Sequence, residues 1–461
     1  MAYIFYDTET SGLETEFDQI LQFAAILTDD NFNELESFEM RCQLMFHIVP
    51  APSGLLTTKI PISKLTDKSL PTHYELIKQI QKKLLEWSPA TFIGWNSIPF
   101  DEELMRHTFS HTLHPAYLTN TNGNKRADVM KIAHAASVYA PKSITVPINE
   151  KGNPFFKLKN IAIANGYNHD NAHEALADVR MTIQMAKLIK EKAPEVWQNM
   201  MKVSKKNDVF DMVSKQPMFS LTESGFGKMS HYIVTLCGMN GNMDAIVFDL
   251  KYDPDEYKSL SVEGLVKVLK GKNNPLRALK AHKQPILMPI ELSTIKETLD
   301  IPHEELTRRV KTIKEDPIFQ AKIEEAFAGR YEDKEESKHI EQRLYSGGFM
   351  SREDQSLALN FQNADWEQKL SIVEKIKDPC VKEFAYRIIF LEKPELLSTE
   401  IHNRMKEWKK DRLLTTNEVP WMTVPKALTE INEKMASVGQ DDSEYLMEIK
   451  KFIEDLRNVE N

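Results

Sequence analysis

Cysteine is scarce in this chain, which holds three cysteines in 461 residues: Cys42, Cys237 and Cys380. Their wide spacing excludes a disulfide-stapled secreted domain and the paired-cysteine patterns of zinc and redox sites. Long apolar runs are also absent, which excludes a membrane-spanning helix. The acidic Asp7 comes too early for a secretory signal peptide. We therefore expect a cytoplasmic protein with no membrane contact.

An excess of positive charge is missing as well, since the net charge is −9. Residues 1–50 hold one basic residue against ten acidic ones, so the rest of the chain is balanced. Bound cations would offset part of this early acidity if it forms a metal site. Elsewhere, a basic cluster occupies seventeen residues without an acid and consists of Lys267, Lys270, Lys272, Arg277, Lys280 and Lys283. It is either solvated surface or a contact for phosphates, and its lack of aromatics favours backbone contact over base stacking.

The first motif follows the short apolar run Tyr3–Tyr6, which predicts a buried strand. Asp7-Thr8-Glu9 comes directly after it. Residues two apart in a strand point to the same face, so Asp7 and Glu9 converge at the strand's end. Two carboxylates held together need a positive partner, and Mg²⁺ prefers oxygen ligands. Taken alone, this fragment fits solvated turn residues better than a metal site.

Two later fragments favour the metal site over solvated turn residues. Asp101 follows an apolar segment at 91–95, predicted to be a strand, and opens a helical stretch. Alone it could be a carboxylate that stabilises a helix N-terminus. His173 precedes a second helix, and Asp178 lies one turn into it. A histidine with an ordinary pKa of about 6.5 suits a general base near neutrality, although a lone loop histidine is more often a cap.

Together these fragments resemble the DEDD exonuclease superfamily, in the branch whose third motif is His-x4-Asp. The four family carboxylates are matched by Asp7, Glu9, Asp101 and Asp178. The family's catalytic histidine is matched by His173. Further segments resemble the bacterial exonuclease I family, namely residues 22–26, 94–96, 156–166 and 344–349. The resemblance therefore runs almost from end to end, with less specific matches in the last third.

The first motif departs from the exonuclease I family at two positions. That family carries aromatic residues where this chain has Thr8 and Ser11, and Asp-Thr-Glu-Thr-Ser-Gly is more similar to proofreading exonucleases and small ribonucleases. Stacking a base on an aromatic side chain is worth about 1 to 3 kcal/mol. The departure leaves the carboxylates intact and leaves open how the terminal base is stacked and whether DNA or RNA is preferred.

The resemblance implies hydrolysis of single-stranded DNA from the 3′ end to nucleoside 5′-monophosphates, as in DNA repair and recombination. One Mg²⁺ would be held by Asp7, Glu9 and Asp178, with His173 accepting a proton from the attacking water. A second Mg²⁺ would be held by Asp7 and, through water, Asp101, with the ions about 3.5 to 4 Å apart. Mn²⁺ could substitute. The alternatives are a 3′ to 5′ exoribonuclease and a non-catalytic scaffold that binds single-stranded nucleic acid.

The composition, 41% hydrophobic and 28% charged, is typical of a soluble protein of about three domains. The resemblance implies a ribonuclease H-like α/β nuclease domain with a mixed sheet at 1–195, an SH3-like β-rich module with helices at 200–345 and a helical module at 350–461. The pattern predicts strands at 231–236, 245–250 and 285–290. The implied partners are single-stranded DNA and the acidic tail of the single-stranded DNA-binding protein, and we expect a monomer.

Three histidines follow Asp101 at helical spacing. His107, His111 and His114 have helical spacing that could seat a transition metal. No carboxylate or cysteine nearby completes the set, and Pro115 ends the helix before a fourth ligand. We predict no metal site there.

Overall fold

The computed structural model describes residues 2–168, 174–225, 228–240, 244–292, 301–329 and 337–457. Within these ranges, no helix combines the length and apolar character that a membrane crossing requires. The strands are β1 (Tyr3–Thr10), β2 (Ile20–Thr28), β3 (Glu34–Arg41), β4 (Thr91–Gly94), β5 (Lys125–Asp128), β6 (Phe219–Gly225), β7 (Lys228–Met239), β8 (Ala245–Asp249), β9 (Leu276–Leu279) and β10 (Ile286–Pro289).

The α-helices alternate with the strands in the first half and dominate the second half. They are α1 (Pro52–Thr58), α2 (Ile62–Leu65), α3 (His73–Glu86), α4 (Asp101–His111), α5 (Val129–Tyr139), α6 (Leu158–Ala164), α7 (Ala175–Lys192), α8 (Pro194–Lys202), α9 (Lys206–Lys215), α10 (Val262–Lys270), α11 (His303–Lys314), α12 (Pro317–Ala328), α13 (Arg352–Asn363), α14 (Trp366–Val373), α15 (Pro379–Glu392), α16 (Thr399–Leu414), α17 (Val424–Met435) and α18 (Gln440–Leu456).

The first sheet is mixed and has the strand order β3-β2-β1-β4-β5. β2 lies antiparallel to β1 and β3, whereas β4 lies parallel to β1 and β5. Because side chains two apart share a face, Tyr3 and Phe5 of β1 pack in one core with α5 and α7, while Ile4 and Tyr6 pack in another with α3 and α4. A strand buried on both faces reads as the continuous apolar run seen in the sequence. This sheet confirms the predicted α/β class.

The second sheet forms the β-rich region and is antiparallel throughout, in the order β10-β6-β7-β8-β9. The three predicted strands correspond to β7, β8 and β10. The sequence pattern did not predict β6, whose second half is the polar Thr-Glu-Ser-Gly, or β9, which has four residues including Arg277. Neither carries an apolar run long enough to be recognised locally. Helices α10, α11 and α12 cover one face of this sheet.

The last part of the chain is helical as predicted, from α13 to α18. These helices pack directly against the first domain. Phe361 and Phe384 share an apolar core with Tyr74 of α3, and Ile449 of α18 shares another with Leu21 of β2. The amphipathic stripes in the sequence therefore bury their apolar faces against elements much earlier in the chain as well as against one another.

Residues 281–284 join the second sheet to β5 and to the helices that follow it. Gln284 is 1% exposed, and its side chain accepts a hydrogen bond from the Asp128 backbone N–H at 2.8 Å. The same side chain donates to the Met200 carbonyl at 3.0 Å. The Lys283 carbonyl accepts a hydrogen bond from Lys131. This segment therefore ties the β-rich region to the strand that ends beside the acidic residues described below.

Gln284→Ala is expected to lower the free energy of unfolding by about 2 kcal/mol. The change leaves a buried N–H and a buried carbonyl without partners, and each such group costs about 1 to 3 kcal/mol. Urea unfolding measures the effect. The control is Gln184→Ala on the exposed face of α7, expected to change stability by less than about 0.5 kcal/mol. Equal stability of the Gln284→Ala and wild-type proteins would contradict the assigned role of this segment.

Candidate active site

Three carboxylates meet beside β1. Asp7 and Glu9 lie two residues apart in that strand, so their side chains share a face. Asp178 lies in the first turn of α7, and α7 packs against β1. One oxygen from each carboxylate lies within 4.8 Å of the other two. The structure therefore brings together residues from the first and third motifs.

Asp101 lies next to this group but outside it. It is the first residue of α4 and is 4% exposed. Its Oδ1 accepts a hydrogen bond from the Thr8 hydroxyl at 2.5 Å. Its negative charge is felt at Asp7, since it is among the causes that raise the pKa of Asp7. Asp101 thus lies on the Thr8 side of β1, and its charge acts on Asp7 more strongly than the charges of Asp178 and Glu9 do.

The turn between β4 and α4 presents Asp101. Asn96 has a φ of +61°, a conformation that asparagine tolerates better than most residues. The Asp128 carboxylate holds this turn, because it accepts hydrogen bonds from the N–H groups of Asn96 at 3.0 Å and Ile98 at 3.3 Å. A Cβ at Gly94 would lie 2.8 Å from the Tyr6 carbonyl, so the close approach of β4 and this turn to β1 requires glycine.

The electrostatics of the site are those of acids forced together. Burial and the neighbouring carboxylates raise the pKa of Asp7 well above its ordinary value. Burial, followed by the charge of Asp178, raises the pKa of Glu9 to about 8, against the opposing charge of Arg41. Burial also raises the pKa of Asp101 to about 7, against the hydrogen bond from Thr8. Such a cluster must bind protons or cations at neutral pH.

The donor set fits a hard divalent cation. All three clustered ligands are carboxylates, and oxygen donors suit Mg²⁺ and Mn²⁺ better than zinc or copper. Among the described residues, one group of three or more potential ligands has its ligand atoms within 4.8 Å of one another. It consists of Asp7, Glu9 and Asp178. The assignment of these residues and Asp101 as metal ligands remains a prediction that the geometry supports.

The predicted general base, His173, lies outside the described residues. Its neighbour Glu174 occupies the N-cap position of α7 without a side-chain capping hydrogen bond, and it forms an ion pair with Arg41 at 2.7 Å. Arg41 is the single basic residue in the first fifty, and the sequence analysis did not place it at the site. The sequence did indicate that Arg41 is unusual, because it is one positive charge among ten negative ones in that segment. The structure places it where it moderates the negative charge around Glu9.

The two departures from the family motif, Thr8 and Ser11, are both buried, at 8% and 1% exposure. Thr8 donates to Asp101 as described above. Ser11 donates to Asp18 Oδ1 at 2.7 Å and accepts from the Gln19 N–H at 2.9 Å, which holds the loop between β1 and β2. Both hydroxyls therefore serve the protein's own structure.

The histidines set aside in the sequence analysis have structural contacts instead. His107 Nδ1 is 3.1 Å from the Glu341 carbonyl, and the His111 ring stacks on Phe384 with centroids 4.6 Å apart. His114 Nδ1 is 3.0 Å from the Thr112 hydroxyl. Burial lowers the pKa of His111 to about 3, so this ring is neutral. The His111 ring thus contributes to the contact between α4 and α15, and His107 contacts the segment before α13.

Comparison with known proteins extends these observations. The family model described as Exonuclease matches residues 4–186, and the model described as Exonuclease I C-terminal domain matches residues 338–456. Exodeoxyribonuclease I of Buchnera aphidicola (Schizaphis graminum) is 29% identical over 412 residues, covering 84% of this chain and 82% of the relative. Exodeoxyribonuclease I of Escherichia coli is 28% identical over 368 residues, covering 75% of this chain and 76% of the relative.

Solved structures share the fold over almost the whole chain. Exonuclease I from Methylocaldum szegediense superposes with a TM-score of 0.86 at 23% identity, covering 99% of both chains. E. coli exonuclease I in complex with a dA16 oligonucleotide gives a TM-score of 0.86 at 22% identity, also covering 99% of both chains. An exonuclease match over the first sheet and an exonuclease I match over the helices packed against it occur in one chain, so this protein belongs to the bacterial exonuclease I family.

Proposed function

We propose that this protein is a 3′ to 5′ exonuclease that hydrolyses single-stranded DNA to nucleoside 5′-monophosphates. The observation that carries the proposal is the convergence of Asp7, Glu9 and Asp178 within 4.8 Å beside the first sheet of an exonuclease fold. The relatives are described as exodeoxyribonuclease I, and a solved relative is bound to a dA16 oligonucleotide. A carboxylate cluster is the arrangement that metal-dependent phosphodiester hydrolysis requires.

The residues have separate proposed roles. Asp7, Glu9 and Asp178 hold one Mg²⁺, and Asp7 with Asp101 holds a second, with Mn²⁺ able to substitute. When bound, the ions supply activation of water and neutralisation of charge on the phosphate. His173 accepts the proton of the attacking water. Repair and recombination are the processes in which we expect the activity to act.

The proposed partners follow from the similarity to the exonuclease I family. One solved relative is described as SSB/Exonuclease I in complex with the inhibitor CFAM. For the present protein we propose that the single-stranded DNA-binding protein docks through its acidic tail. We further propose that the protein acts as a cytoplasmic monomer. Size-exclusion chromatography with light scattering checks the monomer, and fluorescence anisotropy of a labelled tail peptide checks the docking.

The substrate assay compares three nucleic acids, each labelled at the 5′ end: single-stranded DNA, duplex DNA and RNA. We expect single-stranded DNA to shorten from its 3′ end with Mg²⁺, and chelator to stop the reaction. The Asp178→Asn variant serves as the inactive control. Faster shortening of RNA would favour the exoribonuclease alternative. Binding without hydrolysis under every metal condition would favour the non-catalytic scaffold.

The basic cluster at 267–283 is divided by the fold. Arg277 pairs with Glu223 at 2.9 Å and lies 3.6 Å from the centroid of the Tyr232 ring, so it has a structural role. Lys270, Lys272 and Lys280 are exposed. We propose that the exposed lysines, and not Arg277, contact DNA phosphates.

Replacing Lys270 and Lys272 together by alanine is expected to flatten the dependence of DNA affinity on salt. Each phosphate contact on a single strand contributes about 0.7 to the slope of log Kd against log salt, so the loss is about 1 to 1.5. Anisotropy titrations between low and moderate salt measure it. The control pair Lys406 and Lys451, exposed on α16 and α18, should leave the slope unchanged. A slope equal to that of the wild type would make the cluster solvated surface.

A further inference from the structure

The geometry points to Thr8 as a positioning residue whose hydroxyl sets the orientation of the Asp101 carboxylate toward the metal site. This inference rests on the proposed function, because it concerns the same site. Thr8 is the middle residue of Asp7-Thr8-Glu9, at a position where the resembled family carries an aromatic side chain. Thr8 places a short side chain with a hydroxyl at this position, and that hydroxyl is bonded to Asp101.

The strand geometry separates Thr8 from its neighbours. Asp7 and Glu9 project from one face of β1, so the Thr8 side chain projects from the other. The pairing of β1 with β4 ends at Phe5 and Ile93, three residues before Thr8. Beyond that point β4 no longer covers β1, and the start of α4 occupies the adjoining space. The Thr8 side chain is therefore not covered by β4, and it contacts the first residue of α4, Asp101.

The contact itself is short and shielded from water. The Thr8 hydroxyl donates to Asp101 Oδ1 at 2.5 Å, and the two residues are 8% and 4% exposed. A distance in this range is typical of a hydroxyl that donates to an ionised carboxylate. Such a bond fixes the rotation of the carboxylate and commits one oxygen to it. The position of the other oxygen is then restricted as well.

The Asp101 carboxylate also accepts hydrogen bonds from the backbone N–H groups of Thr8 and of Asp101 itself. Among the described residues, Thr8 provides the one side chain that donates to Asp101. The next residue, Glu102, is held separately by Arg106 at 3.0 Å and Arg126 at 3.2 Å. Asp101 therefore depends on Thr8, while its neighbour is fixed by charges. Removal of the Thr8 hydroxyl should loosen the orientation of the Asp101 carboxylate, which keeps its hydrogen bonds to backbone N–H groups, without disturbing Glu102.

The test uses Thr8→Val, which removes the hydroxyl at nearly constant volume, together with Thr8→Ala and Thr8→Ser. Mn²⁺ and Mg²⁺ affinities are measured by calorimetry on the full chain without nucleic acid, and the metal dependence of hydrolysis is measured in parallel. Partners that orient metal ligands typically contribute about 10- to 100-fold to metal affinity. We expect a weakening in this range for Val and Ala, and a change of less than about threefold for Ser.

The matched control is Thr235→Val in the second sheet. Thr235 is fully buried and its hydroxyl donates to the Pro217 carbonyl at 2.7 Å, so the variant loses a comparable bond far from the acidic residues. It should lose stability and keep metal affinity. Unchanged metal affinity in folded Thr8→Val and Thr8→Ala would overturn the inference, as would a loss in Thr8→Ser equal to that in Thr8→Ala.

The calorimetric readout separates this inference from the proposed function. If the wild type binds the metal but fails to shorten single-stranded DNA, the proposed function fails while the Thr8 comparison can still be read from metal affinity. If Thr8→Val does not fold, Thr8→Ala and Thr8→Ser still provide the comparison, because neither places an extra apolar methyl beside the carboxylate. Circular dichroism of each variant decides which comparison applies.

Discussion

Asp7→Asn is expected to eliminate hydrolysis while making the metal-free protein more stable. Asp7 is predicted to contact both metal ions, so its loss should lower the rate by more than the roughly 100-fold that residues supporting a metal ligand typically contribute. In the absence of metal, the buried carboxylate is disfavoured by burial and by the charges of Asp101, Asp178 and Glu9. A neutral amide of the same shape removes that repulsion.

The expected gain in the free energy of unfolding is about 1 to 2 kcal/mol, the range usual when a strained functional site is relieved. Urea unfolding in EDTA measures it, and a 5′-labelled oligonucleotide measures the rate. The variant should also lose the stabilisation that Mg²⁺ provides to the wild type. Asp211→Asn is the control, since Asp211 forms an exposed pair with Lys215 and should affect neither property. A rate of hydrolysis within tenfold of the wild-type rate would show that Asp7 is not an essential metal ligand.

The stability of the metal-free protein is expected to fall as pH rises from about 5 to 8. Burial and the charge of Asp178 raise the pKa of Glu9 from 4.5 to about 8. The folded state therefore holds this proton more tightly than the unfolded state does. The stabilisation that Glu9 contributes is fully present below about pH 4.5 and is lost as pH rises through about 8. While one proton is involved, the free energy of unfolding falls by about 1.4 kcal/mol per pH unit.

Saturating Mg²⁺ should reverse this trend, because the cation replaces the proton and binds the ionised carboxylates. Metal affinity should therefore rise with pH over the same interval. Urea unfolding at pH 5, 6.5 and 8, in EDTA and in Mg²⁺, tests both statements. Glu9→Gln removes the proton-binding group and should reduce the slope in EDTA. A wild type in EDTA that is as stable at pH 8 as at pH 5 would show that the cluster does not hold protons.

Local patterns in the sequence were sufficient for several elements of the site. The apolar run of β1 and the two-residue spacing of Asp7 and Glu9 determine that these carboxylates share a face, since a strand repeats every two residues. The start of α4 at Asp101 was predicted from the preceding apolar segment and matches the structure. The same holds for α7, where Asp178 lies in the first turn. Each of these features depends on neighbours within a few residues.

Other features could not be predicted from local patterns. β6 and β9 are too polar or too short to be recognised alone, and they form because adjacent strands supply hydrogen bonds and a buried face. The basic cluster is continuous in the sequence, yet in the fold Arg277 forms an ion pair with Glu223. The position of Arg41 beside Glu174 likewise depends on how β3 lies against α7.

By itself, the sequence determined that Asp7 and Glu9 share a face of a strand and that Asp101 and Asp178 lie at the starts of helices, because periodicity and apolar runs are properties of short segments. The metal-binding roles of these residues were predicted from the family resemblance. The tertiary structure alone decided that Asp178 lies within reach of Asp7 and Glu9, and that Asp101 is held by Thr8. Distances between residues far apart in the chain are set by the packing of whole elements. That packing is a collective result of side chains spread over the entire fold.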